Sequence, residues 1–438
     1  MNSNSLLIKN GMLVNSEKVF KADVLIENKK IKSIQQGIEQ KNCRVIDASG
    51  LHVLPGIIDP QVHFRDPGLT HKEDLRTGSM GAAAGGITTF FEMPNTKPST
   101  TTLKLLSEKN KMASEKSLVN YSFFLGATSD NLDEIQKLEG NCGLKIFMGS
   151  STGDLLVDND EALEKIFSCC NRIIAVHAED EETLNKFSKY TQTGSFSDHV
   201  KARPVEAAVK ATQKAVDLAL KYEKRLHVLH ISTADEVDII RKHKATGLIT
   251  GETTPQHLLL HAPDIYDRIG SYGQMNPPIR EKAHQKGLWD GLRDGTIDCI
   301  ATDHAPHTIE EKQLPYGKAP SGMPGVETSL SLMLNQVSEK TISISDVVRW
   351  MSESTSRIYN IKGKGKLEVG YDADVTLVDM EKVKEVSNSN VFSKCGWSAF
   401  DGMKLKGCPV KTIVNGSIVF ENDTFYFEGA GKEVVFNR

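Results

Sequence analysis

The sequence predicts an α/β protein: a parallel (β/α)8 barrel of the TIM type beside a smaller β module assembled from both chain ends. Three observations carry this prediction. Eight short apolar runs, at 56–62, 87–93, 121–127, 143–148, 172–176, 225–230, 247–251 and 297–302, are separated by longer helix-compatible segments. Strand and helix alternating eight times over that span is the spacing of a closed barrel rather than of an open doubly wound sheet. The residues outside it carry no helical period and read as short β runs joined by turns. A chain of 438 residues also exceeds the usual size of a single compact core, so a large domain with a smaller companion is expected.

Taken in order, residues 1–53 form the first part of the β module. Its strand-like runs are Leu6 to Ile8, Ala22 to Glu27, Ile31 to Ile34 and Arg44 to Asp47, and Asn10-Gly11 between apolar runs reads as a hairpin turn. Residues 54–364 form the barrel. Between its strands, Val205 to Tyr222 places Ala207, Ala208, Ala211, Ala215, Leu218 and Leu220 on one helix face, and Asp133 to Leu138 is a shorter helical stretch. Residues 365–438 return to β texture, from Lys366 to Asp379 and from Val410 to Phe420 around Asn415-Gly416. The two terminal pieces are expected to pair into one small β-sandwich.

Composition narrows the function classes. With 39% hydrophobic and 25% charged residues and a formal net charge of −4, nothing draws the chain toward nucleic acid. No apolar run approaches the roughly 20 residues of a membrane span, and Met1 to Asn10 lack a secretory pattern, so a cytoplasmic enzyme without membrane contact is expected. Seven cysteines, including adjacent Cys169 and Cys170, form neither a disulfide framework nor a C-x-x-C pair and read as thiols in a reducing compartment.

In such a barrel, chemistry sits at the carboxyl ends of the strands, so the strand ends were compared. The first run leads into Asp59 to Gly68, where Gln61, His63 and Arg65 alternate and therefore share a face. The second ends at Asn95, the fifth at His177, the sixth at His230 and the eighth at Asp303, while Lys145 lies inside the apolar fourth run. Each of these residues alone also fits a structural role, but three histidines, an aspartate and a lysine converging on one mouth form a ligand set. Imidazole nitrogens and carboxylate oxygens suit catalytic zinc. A lysine inside an apolar strand is either a side chain reaching for solvent or an amine that becomes neutral on burial. In the second case it can add to carbon dioxide to give an anionic carbamate, which removes the cost of burying an ammonium.

These motifs resemble the amidohydrolase superfamily, whose fold is a metal-dependent hydrolase barrel, and within it the dihydroorotases. The resemblance rests on His63 to Gly68, Met93 to Thr96, Lys145, Asp303 to His307, Met275 to Arg280 and Gly370 to Asp374, and runs from about residue 5 to 425. It implies one or two zinc ions, the first held by His63, carbamylated Lys145 and Asp303, the second by Lys145, His177 and His230. It implies Asp303 as the catalytic proton carrier and Arg65, Asn95 and His307 as the carboxylate site. Asn276 would bond the pyrimidine ring. The implied reaction is reversible hydrolysis of dihydroorotate to N-carbamoyl-aspartate in pyrimidine (UMP) biosynthesis, by a homo-oligomer such as a dimer. Hydantoinases, dihydropyrimidinases and allantoinases share the metal residues. They form one alternative, and an inactive subunit scaffolding a transcarbamoylase forms another. The chain departs from the pattern at Gln61, which stands where the first histidine of His-x-His belongs. An amide is a weaker donor, so the second metal position is expected to be filled and the first only partly. Thr308 to Glu327, rich in Gly and Pro, is long enough to close over the site. Glu179, Asp180 and His304 read as support or solvated faces.

Overall fold

The computed structural model describes residues 5–150, 155–427 and 431–437. Among these, the chain ends build one nine-stranded, mostly antiparallel sheet. It comprises β1 (Ser5–Val14), β2 (Val19–Glu27), β3 (Lys30–Gln35), β4 (Arg44–Asp47) and β5 (His52–Pro55). The C-terminal part adds β14 (Val375–Glu385), β15 (Lys404–Val414), β16 (Ser417–Glu421) and β17 (Thr424–Phe425). β5 joins the two parts by pairing with β1 on one side and β14 on the other. The sheet curls on itself around Leu6, Ile8, Val24, Ile26, Val375 and Ile413. Its halves meet closely enough that a Cβ on Gly416 would lie 3.1 Å from Ile26.

One turn differs from its sequence expectation. Asn10-Gly11 does not end a strand; β1 continues through it with a register shift between Ile8 and Gly11. Asn10 sits at φ 63° and its N–H donates to Asp23 Oδ1 (2.8 Å), so the dipeptide forms a β-bulge. The same pair at Asn415-Gly416 (φ 49° and 77°) does make the expected hairpin, between β15 and β16.

The barrel strands are β6 (Ile57–Val62), β7 (Ile87–Glu92), β8 (Asn120–Gly126), β9 (Gly143–Phe147), β10 (Ile174–His177), β11 (Leu226–Val228), β12 (Ile249–Thr253) and β13 (Cys299–Ile300). All are parallel and in sequence order, within a few residues of the predicted runs. Helices cover the outer faces, so the strands are buried on both sides and read as continuous apolar runs rather than alternating ones. The helix over Val205–Lys221 buries Ala207, Ala208, Ala211, Ala215 and Leu218 of the predicted face, while Leu220 is only partly buried. The ring closes where His63 N–H donates to His304 O (2.7 Å) and where the Thr302 N–H and hydroxyl donate to Asp59 (3.1 and 2.6 Å). Phe91, Phe124, Ile173, Tyr359 and Phe436 pack into a separate apolar cluster with strand residues of the barrel. Among the described residues no helix is long and apolar enough to cross a membrane.

Candidate active site at the barrel mouth

Gln61, His63, Lys145, His177, His230, Asn276 and Asp303 line one cavity with Phe147, Ala305, Ser321 and Gly322. Its free volume of about 20 Å³ holds little more than one water, because Ser321 and Gly322 of the 308–327 segment lie across it. That segment is anchored by Lys312, whose buried ammonium donates to the carbonyls of Gln274, Pro320 and Gly322 (3.4, 2.9 and 3.1 Å). Arg65, Asn95 and His307 do not line this cavity. They stand directly behind it, tied in through hydrogen bonds.

Several of these positions depend on backbone that side chains rarely adopt. Arg65, His230 and Asp303 have φ of 64°, 36° and 45°. Such conformations cost energy and persist only where the surroundings impose them, which concentrates them at functional sites.

Lys145, 1% exposed, has no carboxylate within ion-pair distance among the described residues and packs against the Phe147 ring (4.4 Å). Burial pulls its pKa down to about 7, against weaker opposing effects of Asp303 and Glu252, so a substantial share of the amine is neutral near physiological pH. Burial likewise holds His63, His177 and His230 below the ordinary histidine value, His230 furthest. Neutral imidazoles are the form that can ligate a metal.

On one side of the mouth, His177 Nδ1 faces His230 Nε2 at 3.0 Å. His177 Nε2 lies 3.0 Å from Glu179 Oε2, an ion-pair distance although off the direction of a good hydrogen bond. Glu179 is fully buried and receives the Arg203 Nε–H at 3.2 and 3.0 Å, with a further short contact from Nη2. Burial pushes this carboxyl up, but Arg203 and His177 overcome it and hold the group ionised. Of the two readings, support or a solvated face, Glu179 takes the first: it is buried and backs His177. Its sequence gave no periodic signal beyond lying two residues after that histidine.

On the other side, His63 Nδ1 pairs with Asn95 Oδ1 (2.7 Å), which leaves Nε2 facing Asp303 Oδ1 at 3.1 Å. With Nδ1–H donating to Asn95, two acceptors point at each other, an arrangement that a cation between them relieves. Gln61 Nε2 also donates to Asp303 Oδ1 (3.1 Å), while Gln61 Oε1 is buried without a hydrogen-bond partner. The donor set therefore fits a divalent metal well around Lys145, His177 and His230. It fits less well around His63 and Asp303, where the amide N–H occupies part of the carboxylate.

Arg65 Nε donates to Pro306 O (3.2 Å) and Nη2 lies 3.3 Å from His307 Nε2. Burial lowers its pKa to about 10, yet no carboxylate lies within ion-pair range among the described residues. His199, not anticipated from sequence, sets Asn276: its Nε2 bonds Met275 O and Asn276 Oδ1, both at 3.0 Å, leaving the amide nitrogen of Asn276 for the cavity.

A further group, His227, Glu252 and Cys299, brings three ligand-type atoms within 4.8 Å of one another inside the barrel and contains none of the expected ligands. His227 Nε2 bonds Glu252 at 3.0 Å. Burial raises Glu252 well above the carboxylate range and lowers His227 to about 3, the behaviour of a neutral hydrogen-bonded pair.

Residues 52–419 match the sequence model described as the Amidohydrolase family. Among curated relatives, a protein named dihydroorotase from Methanosarcina acetivorans is 37% identical, with 97% of this chain and 96% of that protein covered. One of the same name from Lactobacillus gasseri is 36% identical, covering 95% and 99%. Among solved structures, the L-hydantoinase (dihydropyrimidinase) from Arthrobacter aurescens superposes with a TM-score of 0.94 at 34% identity, covering 98% of this chain and 99% of that one. The dihydropyrimidinase from Brevibacillus agri superposes with a TM-score of 0.91 at 29% identity, covering 99% and 100%.

Proposed function

The chain belongs to the amidohydrolase family and is a hydrolase of cyclic amide C–N bonds, and from that premise we propose that its substrate is dihydroorotate, opened reversibly to N-carbamoyl-aspartate. One observation carries the choice of substrate. Arg65 is a buried guanidinium beside the ligand cluster with no carboxylate within ion-pair distance among the described residues. A buried, unpaired cation is costly, and guanidinium binds carboxylate through a planar two-bond fork. Dihydroorotate carries a carboxylate on its ring; dihydrouracil and hydantoin do not. The dihydroorotase name of the curated relatives supports the same reading.

In this reading Arg65, Asn95 and His307 hold the substrate carboxylate, and Asn276, fixed by His199, bonds the ring. Neutral Lys145 adds to carbon dioxide and loses a proton, forming a carbamate. The carbamate, His177 and His230 would hold one zinc, and the carbamate, His63 and Asp303 a second, weaker one. Zinc bound there supplies an acidified water and polarises the ring carbonyl. Asp303 takes the proton of the attacking water on its carboxylate and delivers it to the ring nitrogen as the C–N bond breaks. The Ser321–Gly322 segment must withdraw to admit a ring and, on returning, excludes bulk water from the site.

A second reading, a hydantoinase or dihydropyrimidinase, is favoured by the close superposition on the Arthrobacter enzyme. Turnover of dihydroorotate, dihydrouracil and hydantoin by the same zinc-loaded preparation separates the two. We expect kcat/KM for dihydroorotate to exceed the others by at least about tenfold, roughly the worth of one charge-assisted hydrogen bond. Preference for a ring without a carboxylate would refute the proposal.

A further inference from the structure

Lys72, in the loop between β6 and the helix Leu75–Ala84, is not among the residues so far given a role. Its Nζ lies 3.1 Å from His307 Nδ1 and 2.9 Å from Glu311 Oε1. An ion pair with Glu311 would account for a half-buried lysine by itself; the second contact, to the imidazole, would not be needed for that.

The contact fixes the chemistry of the ring. An ammonium only donates, so Nδ1 must accept from it. On the other side of the ring, Nε2 lies 3.1 Å from the Ser321 carbonyl, which only accepts, so Nε2 must carry the hydrogen. Two independent neighbours thus select the same neutral tautomer. Glu311 Oε2, 3.4 Å from Nδ1, and Arg65 Nη2, a donor 3.3 Å from Nε2, favour the opposite one, but both contacts are longer than the two that set this one, and Glu311 already accepts the Thr308 N–H. With the hydrogen on Nε2, that group and Arg65 Nη2, 3.3 Å away, are two neighbouring donors, and among the described residues no carboxylate lies within ion-pair distance of Arg65. The Ser321 carbonyl occupies the Nε2–H in this closed arrangement.

We infer that Lys72 is a positioning residue: by donating to His307 Nδ1 it keeps Nε2–H aimed as a donor at the substrate's carboxylate, and so makes the site select ring amides that bear one. This deepens, and rests on, the dihydroorotate reading above. Without Lys72, the Glu311 carboxylate would draw the proton to Nδ1 and turn Nε2 into an acceptor that repels the carboxylate.

The test uses the zinc-loaded full chain. In Lys72→Met, KM for dihydroorotate is expected to rise about tenfold, the worth of one hydrogen bond to a charged group, with kcat within about twofold. KM for dihydrouracil should not change. Lys72→Gln, which keeps a donor but no charge, should recover most of the loss. Nitrogen-15 shifts of labelled His307 should show an Nε2–H ring in the unaltered protein and in Lys72→Gln, and an Nδ1–H ring in Lys72→Met. An unchanged KM, a rise shared by dihydrouracil, no recovery in Lys72→Gln, or an Nδ1–H ring in the unaltered protein each overturns the inference. If Lys72→Met does not fold, Lys72→Gln and the unaltered protein's spectrum decide it. An unaltered enzyme that opens dihydrouracil and not dihydroorotate overturns the substrate reading instead, and the spectra then judge the Lys72–His307 link separately.

Discussion

The two sides of the barrel mouth are built to different standards. His177 and His230 face each other at 3.0 Å, and His177 is backed by a buried carboxylate that Arg203 grips from behind. Across the cavity, the group behind His63 is a neutral amide, Asn95, and an amide N–H of Gln61 competes for Asp303. Charge behind an imidazole strengthens it as a ligand; a donor aimed at a ligand carboxylate weakens that carboxylate. The contrast indicates where affinity for an ion is concentrated and which residues to change to move it.

The largest effect should come from the residue both sides share. Lys145→Ala removes the amine that, in the proposed reading, would become the carbamate held in common by both ligand groups. Activity should fall by roughly three orders of magnitude or more, and most bound zinc should be lost on dialysis, with partial rescue by millimolar short carboxylates. Retained turnover in the absence of any added carboxylate would show that the lysine forms no carbamate. Next in size is the strong side alone. Glu179→Gln keeps the shape behind His177 but removes the charge, and should weaken zinc binding about 10- to 100-fold, read by competition with a chelating dye. An unaltered zinc affinity would mean that Glu179 only fills space.

How much of this could be read in the sequence follows the same division between direct and indirect contacts. The barrel was legible because burial on both faces makes every strand a solid apolar run, and the first-contact groups at strand ends stood out against that background. Gln61 was legible as a departure because the family that the motifs resemble reads His-x-His at this strand end. The groups that act through another residue were not legible. Glu179, Arg203, His199 and Lys72 lie on loops, at a helix start or on short helical turns, where no period marks which way a side chain turns. Arg203 reaches Glu179 across 24 positions, and Lys72 meets His307 across 235. The Asn10-Gly11 bulge was missed for a related reason. A residue at positive φ followed by glycine serves a bulge as well as a turn, and only the partner, here Asp23, decides between them.

The smallest change, and the sharpest test of the contrast, is Gln61→His. Gln61 is 1% exposed, its Oε1 has no hydrogen-bond partner, and its Nε2 occupies Asp303. An imidazole of similar bulk offers a lone pair in place of an N–H donor and releases that oxygen of Asp303. The two sides should then become alike. Zinc retained after dialysis against a weak chelator should rise from about one per chain toward two, with tightening of the weaker ion by about tenfold or more, since a nitrogen donor replaces a neutral amide. The strong side supplies the internal control: affinity for the first ion should stay where it was, because nothing that touches His177, His230 or Glu179 has changed. Two tightly held zincs in the unaltered protein would mean that the Gln61 amide turns its oxygen to the metal when one is present, and that the two sides differ in appearance but not in strength.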